Sequence, residues 1–367
     1  MNTAIQAQEQ SEEVEGLGGE EDRNWGDYPI DTLLIRNESR TIHDILRRIE
    51  KGSFVMNPDF QRDFVWPEDK QSKLIESVLL RIPLPVFYLA EDENGRMIVV
   101  DGLQRLTTFQ RFVSNELRLK LPEREDLNNK TFDSLPSKFQ NRIEDSNLIL
   151  YVIDAKVPEQ AKLDIFERVN SGMPLTRQQM RNSLYMGPAT QFLREEAHSN
   201  EFLEATRGSL NKESMRDREF VNRFCAFFLL GIDDYRGDMD EFLAKALLKM
   251  NAMDSKQLLE LSNQFRLSMI NNQYIFGRSA FRKHTKESPG RIINASLWDV
   301  MSTVLSQCPH SVVQTHAEKI KSAFFGLIED GGFNQAITYS TNHTKQVRFR
   351  FEMAQKAFKE VLGDSQD

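Results

Sequence analysis

The sequence has two cysteines in 367 residues, Cys225 and Cys308, and they lie far apart. No cysteine-based metal cluster is therefore expected. Cys225 sits in the apolar run Phe224-Cys225-Ala226-Phe227-Phe228, which reads as a buried structural thiol. No run approaches the roughly 18 apolar residues a membrane span needs, so no membrane partner is expected. The N-terminus lacks a basic region followed by an apolar stretch, which argues against a signal peptide and for a cytoplasmic location. There is no Gly-x-x-x-x-Gly-Lys-Ser/Thr loop. His310 and His316 fall on an expected helix and His343 in a loop, as surface or capping residues rather than metal ligands. No Ser/His/Asp or Cys/His pairing follows from spacing, and no metal site is expected from protein ligands alone.

Basic residues are missing from one place in particular. Residues 1–22 hold seven acids and no Lys or Arg, and the remaining 345 residues are nearly balanced at 47 bases and 48 acids. The overall charge of -8 thus belongs mostly to the N-terminus. This segment is rich in Gln, Glu and Gly and has few bulky apolar side chains, so residues 1–24 are expected to be a disordered acidic tail. A near-neutral body gives no global drive toward nucleic acid, and any DNA contact must come from a local patch.

The length suggests two folded units. From about 25 to 180 the pattern mixes short strands with helices. Pro67 opens a helix with Glu68 and Asp69 in its first turn. Val86–Leu89 and Met97–Val100 read as strands joined at Glu93-Asn94-Gly95, whose Asn-Gly pair accepts the positive φ of a hairpin turn. A helical stripe follows at Leu106, Phe109 and Val113. Another strand is expected at Leu148–Ile153, and a helix after Pro158. From 176 onward no strand is expected. The spacing predicts helices at Thr176–Tyr185, Asp217–Leu230, Met239–Met250, Lys256–Met269, Ile292–Leu305, Ser311–Ile328 and Lys345–Leu362. The expected class is therefore an α+β domain over 25–180 followed by an all-α helical domain over 181–367.

Three stretches could carry chemistry. In Val99-Val100-Asp101-Gly102-Leu103-Gln104-Arg105-Leu106-Thr107-Thr108 a buried strand ends in an acid and a glycine, and a helix begins at once. Free amide groups and the positive end of a helix dipole suit an anion such as phosphate. Gly102 permits close backbone approach, Arg105 offers a bidentate clamp, Gln104 orients water or reads a base edge, and Asp101 holds a metal or accepts a proton. The alternative is equally open: Asp101 caps the helix and pairs with Arg105. The second stretch runs from Asn57 to Pro67 and alternates Gln61 and Arg62 with Phe60, Phe64 and Trp66. The third, Phe166 to Thr176, ends one helix at Asn170-Ser171-Gly172 and caps the next with Thr176 and Gln179. Capping does not explain Arg168 or Asn170.

Together these stretches resemble the GmrSD restriction-endonuclease N-terminal family, also called domain of unknown function 262. Its hallmarks are Asn-Pro-x-Phe-Gln-Arg-x-x-Val-Trp, an Asp-Gly-Gln-Gln-Arg core and Phe-x-Arg-x-Asn-x-Gly-x-x-Leu-Thr. The counterparts here are Asn57 to Trp66, Asp101 to Arg105 and Phe166 to Thr176, in that order. Leu103 stands where the family has its first core Gln. The resemblance covers about 30–185 and implies a ParB/sulfiredoxin-like fold in proteins that restrict modified or phage DNA.

It also implies nucleoside-triphosphate binding and hydrolysis at the core motif. Asp101, Gln104 and Arg105 would then be catalytic. Gln61, Arg62, Gly102, Thr107, Arg168 and Asn170 would bind phosphate, with a divalent cation such as Mg accompanying the nucleotide. Related proteins often carry a C-terminal His-Asn-His nuclease, and none is visible here. The expectation is a nucleotide-binding sensor or NTPase of a restriction or phage-defence system. Two other readings are a ParB-like DNA-binding module without hydrolysis and a partner subunit of a separately encoded nuclease.

Overall fold

A computed structural model describes residues 14–17, 34–56, 66–169, 175–285, 288 and 290–362. The chain forms two compact units. One is Gly26–Met186; the other joins Met1–Trp25 to Gly187–Asp367.

The first unit is built on a five-stranded mixed sheet. Its strands are β2 (Ile35–Thr41), β3 (Phe54–Val55), β4 (Phe87–Glu91), β5 (Met97–Asp101) and β6 (Asn147–Ile153), in the order β2-β6-β4-β5-β3. β4 and β5 form the expected hairpin, with Gly95 at φ +75° and the Asp92 carboxylate accepting the Asn94 and Arg96 amides. Strand alternation sends Phe87, Leu89, Val99, Leu148, Leu150 and Val152 to one face. There they pack with α1 (Ile42–Glu50), α2 (Glu68–Leu79) and α3 (Leu103–Val113) into a single core. The opposite face is covered unevenly. α5 (Glu159–Val169) and α6 (Arg177–Leu184) lie against β5 and bury Ile98 and Val100. Toward β2 the same face leaves Ile149 46% and Ile35 44% exposed. α4 (Ser137–Glu144) leads into β6.

The second unit is helical: α7 (Pro188–Ala197), α8 (Asn200–Thr206), α9 (Arg216–Leu230), α10 (Met239–Asn251), α11 (Ser255–Phe276), α12 (Ala295–Ser306), α13 (His310–Glu329), α14 (Gly331–Ala336) and α15 (Thr344–Leu362). The apolar stripe of α15 is buried as its spacing predicts, at Val347, Phe351, Ala354 and Phe358. Trp298 is fully buried among Phe202, Phe220, Phe265 and Phe281, and its indole N–H donates to the Phe220 carbonyl at 2.8 Å. Next to it the Asp299 carboxylate, wholly buried, takes two bonds from Arg223 and one from Arg350. Cys225 is buried as expected, and burial pushes its thiol up.

Two expectations fail at the N-terminus and in the helical half. Val14–Glu15 form strand β1, paired in parallel with β7 (Ile293–Asn294). The expected acidic tail therefore has structure at residues 14–17, and a strand exists beyond 176. Gly16, at φ +77°, gives its carbonyl to the Thr341 hydroxyl at 2.9 Å, and Asn342 donates to the Leu17 carbonyl at 3.0 Å. Lys283 pairs with Glu15 at 2.7 Å. A two-residue strand has no periodicity to read, and its partner lies at the far end of the sequence. The rest of the expected tail lies outside the described residues. Asn294 also shifts the start of α12 from the expected Ile292, because its side chain accepts the Leu297 amide and caps the helix. Among the described residues no helix is long and apolar enough to cross a membrane.

Candidate functional site

Buried β5 ends at Asp101, and Gly102 turns the chain at φ +102°. A side chain could not stand there: a Cβ would lie 2.2 Å from Cδ1 of Phe87. The 11-residue helix α3 starts at the next residue without a side-chain cap, and its first interior bond runs from the Leu106 amide to the Gly102 carbonyl at 2.9 Å. The amides of Leu103, Gln104 and Arg105 thus have no acceptor within the helix. Asp101 does not cap it.

Arg105 is 7% exposed. Its Nη2 donates to Asp101 Oδ2 at 2.8 Å and to the Val86 carbonyl at 3.1 Å, and its Nη1 donates to the Pro85 carbonyl. The guanidinium carbon lies 4.1 Å from the centre of the Phe87 ring. Burial lowers its pKa against the opposing pull of Asp101. The Arg105–Asp101 pair, one of the two readings the sequence left open, is present, and it is tied into the backbone that leads to β4. Asp101 keeps about a third of its side chain open, 36%.

Gln104 also has a structural partner, contrary to a purely ligand-facing reading. Its Oε1 accepts the Trp66 amide at 3.0 Å. Gln71 donates to the Trp66 carbonyl and accepts from Arg111 at 2.9 Å. This relay fastens the end of the Asn57–Trp66 stretch to the helix that begins at Gly102. Thr107 is half-buried in the next turn of α3, and Arg168 is exposed near the end of α5. Gln61, Arg62 and Asn170 lie outside the described residues. Thr176 and Gln179 form the expected capping box, with bonds of 2.7 and 3.2 Å.

The helix α6 forms where its spacing predicts, but the burial of its polar side chains is not legible in the sequence. Gln178, Arg181 and Asn182 are buried on this helix, which packs against β5. Gln178 bridges Arg181 at 3.0 Å and Asn182 at 2.9 Å, while Arg177 reaches Asp164 at 3.0 Å and Glu167 at 2.6 Å. A polar helix buried against the strand that ends in Asp101 is unusual, since buried polar groups are tolerated only when bonded. The run Arg177-Gln-Gln-Met-Arg-Asn gave no apolar stripe to mark it as interior. Among the described residues no group of three or more His, Cys, Asp or Glu is placed to hold a metal ion.

A glycine-broken strand-to-helix junction, an ion-paired acid beside uncapped amides and a polar helix behind them meet in this α+β unit. Residues 42–186 match the family model of the GmrSD restriction endonuclease, N-terminal domain, and this part of the chain is such a domain. No curated protein matches the chain.

Proposed function

We propose that residues 42–186 are the nucleotide-binding sensor or NTPase part of a restriction or phage-defence protein. The phosphates sit at the Asp101–Arg105 junction. One observation carries this reading: three helix-terminal amides without an internal acceptor stand beside a partly open carboxylate held in place by a buried arginine. Amides and helix dipole favour an anion, and the fixed carboxylate favours a cation carried with it. Arg105 acts in this scheme by orienting Asp101, since three of its N–H groups are already taken by the protein. Gln61, Arg62, Thr107, Arg168 and Asn170 are the additional phosphate contacts of the proposal.

A Mg ion fits only as part of a nucleotide complex. One protein carboxylate is at hand, so the remaining ligands would be phosphate oxygens and water, a common arrangement for this ion. Bound there, the ion would neutralise phosphate charge. The chain's own contribution is to bind phosphate through the Leu103–Arg105 amides and to keep Asp101 oriented. A ParB/sulfiredoxin-like fold and a cytoplasmic location belong to the same reading.

Thermal melting with each of the four nucleoside triphosphates, with and without Mg, tests it. A ligand at a hundred times its Kd adds about 2.7 kcal/mol of apparent stability. Asp101→Asn keeps an acceptor for Arg105 and removes the charge, so the Mg-dependent part of the shift should vanish. No shift and no phosphate release with any nucleotide would sink the proposal.

A further inference from the structure

Asp101 does not stand alone at the sheet's edge. It is opposite Tyr88 on β4, Tyr88 is opposite Tyr151 on β6, and Tyr151 is opposite Asn37 on β2. Residues directly opposite one another share a face. Tyr88, Tyr151 and Asn37 therefore form one row across three strands, and Asp101 joins its end across an irregularity in register between Tyr88 and Leu89. On this face Ala90 and Ile153 beside the tyrosines are buried, while Ile149 and Asn37 are exposed. Neighbouring strands are about 4.8 Å apart, which puts Tyr88 one spacing and Tyr151 two spacings from Asp101. The two rings lie side by side, centroids 5.5 Å apart and planes tilted by 36°. Both are half-buried, and neither belongs to the core on the other face. Asn37 is exposed at the end of the row, and Ile149 beside it is 46% exposed although β6 is an interior strand.

Two central strands that present adjacent, mutually tilted and half-buried tyrosines next to the strand end that carries the acid of the phosphate site form a small aromatic platform. We propose that this platform receives the base of the bound nucleotide, with Asn37 at its rim to meet the base edge. The inference rests on the phosphate reading above and extends it: it assigns the half of the ligand that the Asp101–Arg105 junction does not touch. The spacing suits it, because a base and its phosphates are separated by a sugar of similar span. Every base has a π-face, so stacking on tyrosine gives affinity with little sequence choice, and any discrimination comes from the edge that faces Asn37.

The test compares ATP and GTP with inorganic tripolyphosphate, each with Mg, by calorimetric titration of the full chain. Tripolyphosphate carries the charge without the base. The wild type should bind a nucleoside triphosphate at least about tenfold more tightly than tripolyphosphate, equivalent to about 1.4 kcal/mol. Tyr88→Ala and Tyr151→Ala should each lose most of that margin and leave tripolyphosphate affinity unchanged. Tyr88→Phe and Tyr151→Phe should keep it, and their melting curves guard against a folding defect. Equal affinity for the nucleotide and tripolyphosphate in the wild type would overturn the platform while leaving the phosphate site standing. So would alanine variants that bind nucleotide as the wild type does. Failure of every ligand, tripolyphosphate included, would remove the phosphate site and the platform with it.

Discussion

Arg105 and Asp101, four residues apart, meet at 2.8 Å across the glycine that ends a strand and begins a helix. The arginine is the buried partner and the acid the open one. This asymmetry decides what each substitution should do.

Arg105→Ala removes the donor to two backbone carbonyls, Pro85 and Val86, as well as to Asp101. Pro85 is exposed and Val86 half-buried, so water can partly replace the lost donor, and a loss of about 1–3 kcal/mol is expected. Sequence alone left room for the opposite outcome, an arginine that serves a ligand and is dispensable for stability. Urea unfolding of the variant separates the two: an unchanged midpoint would show that the carbonyls find water and that Arg105 is free for a ligand.

Gly102→Ala places a methyl on Phe87 and forces a non-glycine residue to φ +102°. The steric overlap and the backbone strain are separate costs, the second about 1–3 kcal/mol. Adding Phe87→Leu should recover part of the lost stability and leave the strain. Full recovery in the double variant would mean that the backbone conformation costs nothing.

Much of this unit could be read from the sequence, and the reasons are local. The hairpin at Asn94-Gly95, the helix after Gly102 and the capping box at Thr176 each have a turn residue or cap at a fixed offset from an apolar pattern. The Asp101–Arg105 pair was legible as one of two readings, because helical spacing brings the residues together. What could not be read depends on distant partners. Gln104 reads as a ligand contact in the sequence, and its acceptor role toward Trp66, 38 residues earlier in the chain, depends on the fold. The tyrosine row exists only through strand register, which no local pattern encodes.

Truncation tests the strand formed by Val14 and Glu15. Removal of residues 1–13 should leave the melting temperature of the helical unit unchanged. Removal of 1–17 should lower its stability by about 1–3 kcal/mol, since carbonyl-binding groups at Thr341 and Asn342 and the edge at Ile293–Asn294 lose their partners. Gly16→Val should do the same without deletion, because a Cβ there comes within 3.0 Å of the Ile337 carbonyl. Equal melting for both truncations would show that the strand adds nothing.

His284 should give the helical unit a pH dependence. Its ring is packed by Phe276, Phe324 and Phe325 and bonded to the Arg282 carbonyl at 2.8 Å. Burial, helped by Lys321, lowers its pKa below the ordinary 6.5. The unfolded chain therefore takes up the proton first as pH falls. The neutral ring's contribution is complete above about pH 6.5 and declines as pH drops below it, by at most about 1.4 kcal/mol per pH unit. Melting between pH 7.5 and 5.5 should show this slope, and His284→Asn, which keeps an N–H for the carbonyl, should flatten it. A variant with the same slope as the wild type would assign the dependence to other groups.

The pairing of β1 with β7 also changes what counts as a domain boundary. Because the helical unit begins with Met1–Trp25 and resumes at Gly187, the restriction-type domain is an insertion within it. An expression clone that starts at Gly187 would omit a strand of the domain it is meant to contain and leave the Ile293–Asn294 edge open to other chains. The same gap makes a fragment-complementation reporter: a synthetic peptide spanning Val14–Leu17 could be supplied in trans, and recovery of solubility would measure how much of the fold those few residues hold in place.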